Sequence, residues 1–322
     1  MRRRTADAFS GGPDDGENMS GGSPTVAAVQ LSIDDLAVER NTDRLRERVD
    51  DLPARVDMAV CPEYTITGFV DDGRIREVAL DRSDALDRLT SIAAANDVAL
   101  VAGYVERGRG NGPQPEDDPE GGRESDNGSG SGVGSGGEPG ESKDDAMEYY
   151  NATAYVPAPG SGGQEPTVYR KRHLWGGERE LLTPGTDRVV VETPAGPIGI
   201  LTCYDLNFVA ESARFTERAV DALFVPGAWP AAHAANWRLL LRARALDGVR
   251  WVVGAGRTGG SGSPTSRAER LEYAGNSLVA RPSGRVAAAL GHEERDLVVT
   301  LDRDVLDRQR DLIGSVAHTR DR

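Results

Sequence analysis

The 322-residue chain has little of several residue types, and each shortage argues against a class of protein. Its 2 cysteines, Cys61 and Cys203, are too few for a disulfide framework. No apolar run reaches the length of a membrane helix, and the basic start MRRRTADAFSGG lacks the apolar region of a secretory signal. We therefore expect a cytoplasmic protein without a membrane anchor. The 4 histidines lack the spacing of zinc ligands, so no metal site is predicted: His173, His233, His292 and His318.

Basic residues are outnumbered by acidic ones. The chain has 38 Lys+Arg residues and 52 Asp+Glu residues, which give a formal net charge of −14. Such a surface repels the phosphates of nucleic acids and anionic membranes, so we expect neither as a partner. Lysine itself occurs only at positions 143 and 171. The acidic excess and the scarcity of lysine together suggest the hypothesis of a salt-adapted source organism.

Cys203 stands at an abrupt change of character in the segment GPIGILTCYDLNF. Residues 198–202 predict a buried strand, and Asp205 and Asn207 predict a turn and a helix start. A cysteine at that junction is exposed at the carboxyl edge of a sheet, near backbone N–H groups and a helix dipole that favour the thiolate. A buried, inert cysteine is the alternative, because free cysteine is commonly a core residue. For Cys61, which precedes a proline in a predicted strand, the structural role is favoured.

Two other segments supply the groups that a cysteine nucleophile needs. Glu63 lies in PEYTITGF, and Lys171 and Glu178 lie in YRKRHLWGGERELLTPG. A carboxylate can take the thiol proton, and a compact ammonium fits a tight oxyanion site better than a planar guanidinium. The alternatives are a surface lysine left by chance and a cysteine–histidine dyad using His173, which is more simply explained by packing beside Leu174. No GxSxG motif indicates a serine nucleophile.

The segments VCPEYTITGF, YRKRHLWGGERELLTPG and GILTCYDLNF resemble the three signature blocks of the nitrilase superfamily, the carbon–nitrogen hydrolases, in the same order. The resemblance extends over residues 26–299 and includes the flanking segments VAAVQLS, ALFVPGAWP, WRLLLRARALDGVRWVVGAG and NSLVARPSGRV. Three catalytic blocks in order, rather than one alone, identify the chain as similar to this superfamily.

The resemblance implies a role for each matching residue. Glu63 would be the general base that takes the thiol proton and later protonates the leaving amine. Cys203 would attack the amide carbon and form a thioester. Lys171 and the backbone N–H of Tyr204 would stabilise the oxyanion, and Glu178 would orient the substrate or the lysine. No cofactor or metal is implied by this set.

The resemblance also implies a substrate class. Tyr204 and Asp205 after the cysteine are typical of amidase-like branches, whereas true nitrilases usually have Trp–Glu there. This implies hydrolysis of a small carboxamide to acid and ammonia. An N-carbamoyl-amine hydrolase using the same residues is the alternative enzyme, and a catalytically silent interaction protein is the alternative from another class. Trp229 would line the substrate pocket, with simple packing as its alternative.

Two departures from the family pattern leave the substrate and the subunit contact open. Val209 and Ala210 follow Phe208, where the family often has Pro–Glu, and Asp247 and Gly248 stand where Glu and Asn are usual. Family members commonly pair through elements near the nucleophile, here residues 208–218, so the resemblance implies a homodimer or a larger homo-oligomer. Whether Arg172 or Arg179 binds a substrate carboxylate is left open.

Strands and helices alternate along the chain, which predicts an α/β protein. Alternation alone is typical of a doubly wound parallel sheet, but the resemblance implies an α/β (α+β) four-layer α-β-β-α sandwich. We predict a disordered extension at 1–23, with Met19 as an alternative start, a hydrolase domain at 24–310 and a tail at 311–322. An acidic, Gly-rich insertion at 107–146 cannot bury a core and is predicted to be a disordered hairpin connection.

Overall fold

The computed structural model describes residues 23–109, 147–261 and 271–314. Its strands are β1 (Thr25–Gln30), β2 (Met58–Val60), β3 (Leu80–Asp81), β4 (Ala99–Arg109), β5 (Met147–Val156), β6 (Thr167–Arg170), β7 (Val190–Thr193), β8 (Gly196–Ile200), β9 (Ala222–Gly227), β10 (Trp251–Gly256), β11 (Leu278–Ala280), β12 (Val286–Ala289) and β13 (Arg295–Thr300). The helices are α1 (Val38–Asp50), α2 (Arg82–Asn96), α3 (Glu178–Leu181), α4 (Val209–Glu217), α5 (Ala234–Gly248) and α6 (Arg303–Ile313).

The strands form two mixed sheets. The first has the order β13-β1-β2-β4-β5-β6, with β3 also paired to β4, and the second has the order β12-β11-β10-β9-β8-β7. The central strands β1, β2 and β4 run parallel, as do β8, β9 and β10, whereas the outer pairs are antiparallel. The carboxyl ends of the parallel strands therefore meet at one edge of each sheet.

Side-chain alternation along the strands builds the layers, as period-two patterning requires. On β1, Val26 and Ala28 belong to the core between the sheets, which also contains Phe224 of β9. Ala27 of the same strand packs in a second core with Leu45 of α1 and other residues of α1 and α2. A third core joins the outer face of the second sheet to α4 and α5. The predicted four-layer α-β-β-α sandwich is confirmed.

The outer helices each bury one face against the sheets. In α1 the buried positions recur at helical spacing (Asn41, Thr42, Leu45 and Val49), and the arginines and acidic residues between them face solvent. α2 buries Ala85, Leu89, Ile92 and Ala93 in the same way. In the described parts of the chain, no helix is both long and apolar enough to cross a membrane.

The β4–β5 hairpin continues further than the sequence indicates. The two strands stay in register to the pair Arg109 and Met147, and the Arg107 guanidinium lies 2.8 Å from the Asp81 carboxylate. The first three residues of the predicted insertion are therefore strand, and the rest of it lies outside the described residues. The same holds for residues 1–22 of the predicted extension and 315–322 of the predicted tail, while α6 runs past position 310 to Ile313.

Candidate active site

The predicted catalytic residues converge at the carboxyl edge of the strands. Glu63 follows β2, Lys171 directly follows β6, and Cys203 follows β8 and opens a short 3-10 helix at Cys203–Asn207. Glu178 begins α3. The ammonium Nζ of Lys171 lies 2.8 Å from Glu63 Oε1 and 2.8 Å from Glu178 Oε2. Residues from three separate segments of the chain thus lie together in one buried cluster.

Glu178 holds the lysine in place. Its Oε1 accepts hydrogen bonds from Lys171 Nζ at 3.0 Å, from Asn151 Nδ2 at 2.8 Å and from the Tyr64 hydroxyl. Its Oε2 accepts from Lys171 Nζ at 2.8 Å and from the backbone N–H of Trp175 at 2.7 Å. A carboxylate that accepts five hydrogen bonds is held in one orientation. This geometry fits the orienting role that the resemblance implies for Glu178.

Glu63 occupies the position of a base. Its Oε1 accepts from Lys171 Nζ at 2.8 Å and from Asn151 Nδ2 at 2.7 Å, and Glu63 and Cys203 lie close enough for each to shift the pKa of the other. Burial raises the pKa of Glu63; Lys171 opposes that rise and the Glu178 charge adds to it. A carboxylate whose pKa is raised toward neutrality is a better proton acceptor at working pH.

The surroundings of Cys203 favour the thiol over the thiolate. Cys203 is only 8 % exposed. Burial, followed by the charge of Glu63, raises the pKa of its thiol well above the ordinary value. Lys171 and a backbone hydrogen bond from Ala228 act in the opposite direction without reversing the shift. The prediction of an exposed cysteine with surroundings that favour the thiolate is wrong, because Cys203 is buried and the Glu63 charge opposes a thiolate. Only a short turn follows it, and α4 begins at Val209.

The turn at Cys203 is strained and firmly anchored. Cys203 has a φ of 50°, in the left-handed region that is costly for a residue with a β-carbon. A reciprocal capping box fixes the turn, since Thr202 and Asp205 each bond the backbone of the other. Tyr64, next to the base, also has a positive φ of 58°. Backbone strain thus occurs at the candidate nucleophile and at the residue after Glu63.

Lys171 keeps its charge despite being 1 % exposed. Burial alone would lower its pKa, but the Glu178 and Glu63 carboxylates together raise it well above the ordinary value. The cluster of two carboxylates and one ammonium therefore carries a formal charge of −1 when both acids are ionised. Within the described residues, no group of histidine, cysteine and acidic side chains could hold a metal ion.

The model of the family described as "Carbon-nitrogen hydrolase" matches residues 25–311, which is most of the chain. The chain belongs to the carbon-nitrogen hydrolase family. The resemblance to the nitrilase superfamily is thereby confirmed, as is the prediction of a carbon–nitrogen hydrolase at the level of the family.

Other members of the carbon-nitrogen hydrolase family align over different lengths. An (R)-stereoselective amidase from a Pseudomonas species is 25% identical over 88% of this chain and 87% of that protein. "Probable nitrilase C965.09" of Schizosaccharomyces pombe is 30% identical over 52% of this chain and 58% of its own length. Omega-amidase NIT2 of Xenopus tropicalis is 32% identical over 53% and 62%, respectively. The chain thus spans less than two thirds of the latter two relatives.

Solved structures of the carbon-nitrogen hydrolase family share the fold. Nit3 of Saccharomyces cerevisiae, a member of branch 10 of the nitrilase superfamily, has a TM-score of 0.69 at 22% identity, covering 93% of this chain and 97% of that one. An amidase from Nesterenkonia sp. has a TM-score of 0.66 at 23% identity, covering 93% and 98%. At these identities the likeness establishes the architecture, not the substrate.

Sequence reasoning missed two members of the cluster. Asn151 of β5 donates to Glu63 and Glu178 through one amide, and the Tyr64 hydroxyl donates to Glu178. Both side chains are buried. The only signal for Asn151 was a polar amide inside a predicted buried strand, and the only signal for Tyr64 was its place beside Glu63. Together they connect the two carboxylates independently of Lys171.

The predicted substrate-binding residues lie beside the nucleophile. Tyr204 follows it, is half-buried and packs edge to face on Phe208 at 5.5 Å between ring centroids. Trp229 is 9 % exposed, follows the Ala228 that bonds the Cys203 sulfur, and lies 5.9 Å from Trp237 between centroids. Their contacts with substrate stay predictions.

The weaker sequence candidates are engaged elsewhere. His173 Nδ1 lies 2.9 Å from Asp205 Oδ1, and its ring stacks on Phe208 at 3.6 Å rather than acting on Cys203. Arg172 contacts Glu211, and Arg179 donates to a backbone carbonyl. Cys61 is fully buried in the core under α1 and α2, as its predicted structural role requires, and burial raises its pKa.

Gly103 of β4 lets the catalytic edge pack closely. A β-carbon there would lie 2.5 Å from the Tyr64 backbone nitrogen and 3.0 Å from the Glu63 α-carbon, closer than real contacts allow. We expect Gly103→Ala to displace Glu63 and lower kcat by about 100-fold, the cost of a displacement of about 1 Å in a catalytic group. Steady-state kinetics measures this. Gly73→Ala, where a β-carbon meets nothing within 4 Å, is the matched control, and equal activity of the two variants would contradict the expectation.

Proposed function

We propose that this protein hydrolyses the carbon–nitrogen bond of a small carboxamide to give an acid and ammonia, with Cys203 as the nucleophile. The observation that carries the proposal is the buried contact of a thiol, a carboxylate and an ammonium at one sheet edge. Amidases among the relatives support the carboxamide as substrate. In the Nesterenkonia amidase, the acetamide moiety of fluoroacetamide adds covalently to the active-site cysteine, which supports the same role for Cys203.

Acylation begins with transfer of the Cys203 thiol proton to Glu63. The sulfur attacks the carbonyl carbon of the amide, and the oxygen becomes an oxyanion. Glu63 then gives its proton to the leaving nitrogen, the carbon–nitrogen bond breaks, and ammonia departs from a thioester. Because burial and the Glu63 charge raise the pKa of the thiol, this step needs a base to take its proton.

Proton transfer to Glu63 also frees the oxyanion donor. In the resting cluster, Lys171 Nζ has three carboxylate oxygens within 3.0 Å, which uses all three of its hydrogens. A protonated Glu63 is a weaker acceptor than the carboxylate, so one lysine N–H can turn to the new oxyanion while Glu178 keeps the other two. The backbone N–H of Tyr204 is the second donor. In deacylation Glu63 takes a proton from a water molecule, whose oxygen attacks the thioester carbon. The carbon–sulfur bond then breaks, Glu63 returns the proton to the Cys203 sulfur, and the acid departs.

Ammonia release from a panel of small amides, ω-amides, carbamoyl amines and nitriles in high-salt buffer tests the proposal. We expect release from at least one small carboxamide and none from the nitriles. Release from carbamoyl amines alone would replace the proposal with an N-carbamoyl-amine hydrolase. Silence across the panel, together with equally slow iodoacetamide labelling of Cys203 and Cys61 in the folded protein, would instead indicate a catalytically silent interaction protein.

The assembly of the protein stays a prediction. The segment 208–218, which the resemblance places at a subunit contact, contains α4, and Val209 at its start is strongly exposed for an apolar side chain. Such exposure is compatible with a homodimer or a larger homo-oligomer.

A further inference from the structure

Tyr273 borders the nucleophile although no sequence motif singled it out. Its backbone forms an isolated antiparallel bridge with Pro230. Pro230 follows Ala228 and Trp229, and the Ala228 backbone hydrogen-bonds to the Cys203 sulfur. The bridge therefore places Tyr273 next to the wall of the candidate active site.

The ring of Tyr273 is held in place without its hydroxyl. The Arg257 guanidinium lies over the ring, 4.0 Å from its centroid, and Arg257 is itself buried and paired with Asp35 at 2.6 Å. This cation–π contact depends on the aromatic face. Removing the hydroxyl alone would leave the ring position supported.

The Tyr273 hydroxyl is available to a ligand. The residue is only 7 % exposed, yet no hydrogen-bond partner of the hydroxyl is found among the described residues. Burial, more than the charges of Asp35, Glu63 and Cys203, raises the pKa of Tyr273 to about 12, so the phenol is a neutral donor at working pH. The hydroxyl oxygen is not one of the fully buried, unpartnered side-chain atoms of the described residues, so it keeps access to a bound molecule.

The neighbouring Trp229 provides a second donor without a partner, and this one is fully buried. Its indole Nε1 is buried and has no acceptor among the described residues, and an indole nitrogen can only donate. Two neutral donors thus border a cluster in which Glu63, Glu178 and Lys171 sum to −1. Neutral donors need an acceptor on the bound molecule. The negative charge of the cluster disfavours a carboxylate on that molecule close by.

We propose that the Tyr273 hydroxyl determines specificity by donating a hydrogen bond to a neutral oxygen acceptor on the acyl group of the substrate. The preferred carboxamides then carry a hydroxyl, ether or carbonyl oxygen, rather than a plain alkyl chain or a carboxylate. This inference rests on the proposed amide hydrolysis and names its substrate class.

Matched pairs of amides test the proposal. 2-Hydroxypropanamide pairs with 2-methylpropanamide, and 3-methoxypropanamide pairs with pentanamide, so that each pair differs mainly by one oxygen. We expect kcat/KM for ammonia release to favour the oxygen-bearing member of at least one pair by about 3- to 10-fold, as one neutral hydrogen bond allows. Tyr273→Phe should bring that ratio to about 1 by lowering kcat/KM mainly for the oxygen-bearing member, because the ring keeps its contact with Arg257.

The controls separate the possible failures. Tyr104→Phe removes a buried hydroxyl without a partner, from β4 in the core under α1 and α2, and should leave the ratio intact. A ratio of about 1 in the wild-type protein, a ratio that survives Tyr273→Phe, or a preference for 4-amino-4-oxobutanoate over both oxygen-bearing amides would overturn the proposal. The wild-type ratio needs no variant to fold. Absence of ammonia from all these amides, alkyl ones included, would instead count against amide hydrolysis itself.

Discussion

Replacing Cys203 with alanine is expected to lower the rate of ammonia release by about 10⁴-fold or more, the scale on which loss of a catalytic nucleophile acts. Besides Cys203, Glu63 has beside it the Lys171 ammonium and the Asn151 amide, neither of which can form a thioester. The measurement is the single-turnover rate with the best amide of the panel. Residual activity within about tenfold of the wild-type protein would place the nucleophile elsewhere.

Glycine at the same position separates activity from backbone strain. Cys203 has a φ of 50°, which glycine adopts at little cost and alanine does not. We expect Cys203→Gly to be inactive as well, but more stable than Cys203→Ala by about 1 kcal/mol in urea unfolding. Equal stability of the two variants would show that the turn relaxes when the thiol is removed.

Replacing Lys171 with methionine is expected to abolish activity and also to destabilise the fold by about 3–5 kcal/mol, the cost of removing one partner from a buried ion cluster. Lys171 lies within 3.0 Å of three oxygens of Glu63 and Glu178, all of them buried. Without the ammonium, two carboxylates face each other with only neutral donors between them. Urea unfolding at pH 7 measures the loss of stability, and ammonia release measures the loss of activity.

The chain offers a matched control in Lys143, its only other lysine. Lys143→Met makes the same chemical change outside the described residues and is expected to alter neither quantity. The double variant Lys171→Met with Glu178→Gln should recover part of the lost stability, because one uncompensated charge is gone, but no activity. A Lys171→Met protein as stable as the wild type would mean that the cluster is already neutralised by protons rather than by the lysine.

Much of the candidate site could be predicted because its candidate catalytic residues lie in short local sequence motifs. Glu63, Lys171 and Cys203 each lie in a recognisable block, and the structure brings all three together. Asn151 and Tyr273 reach the site through strand pairing and an isolated bridge, which no local pattern specifies. Those partners are set by the fold rather than by sequence neighbours.

The error about the thiolate has a physical origin. The position of Cys203 after a strand was predicted correctly, but its ionisation depends on how deeply the edge is buried and on the sign of the nearest charge. Neither is visible in a local segment. The extra length of β4 was missed for a related reason, since Arg107 and Gly108 belong to a strand only because β5 pairs with them. The composition of a segment indicates how much apolar surface it can bury, but not which strand or charged group lies next to it in the fold.

The long pairing between β4 and β5 joins two parts of the chain, each of which supplies some of the candidate catalytic groups. Everything before position 110 supplies the proton acceptor Glu63, and everything after position 146 supplies the thiol and the ammonium. A single cut between them would divide the machinery between two fragments, neither of them competent alone. The fragments would still be joined by ten paired positions, from Leu100 with Val156 to Arg109 with Met147, and by the β1–β13 pairing. Recovery of ammonia release after the two fragments are mixed would measure their reassembly directly.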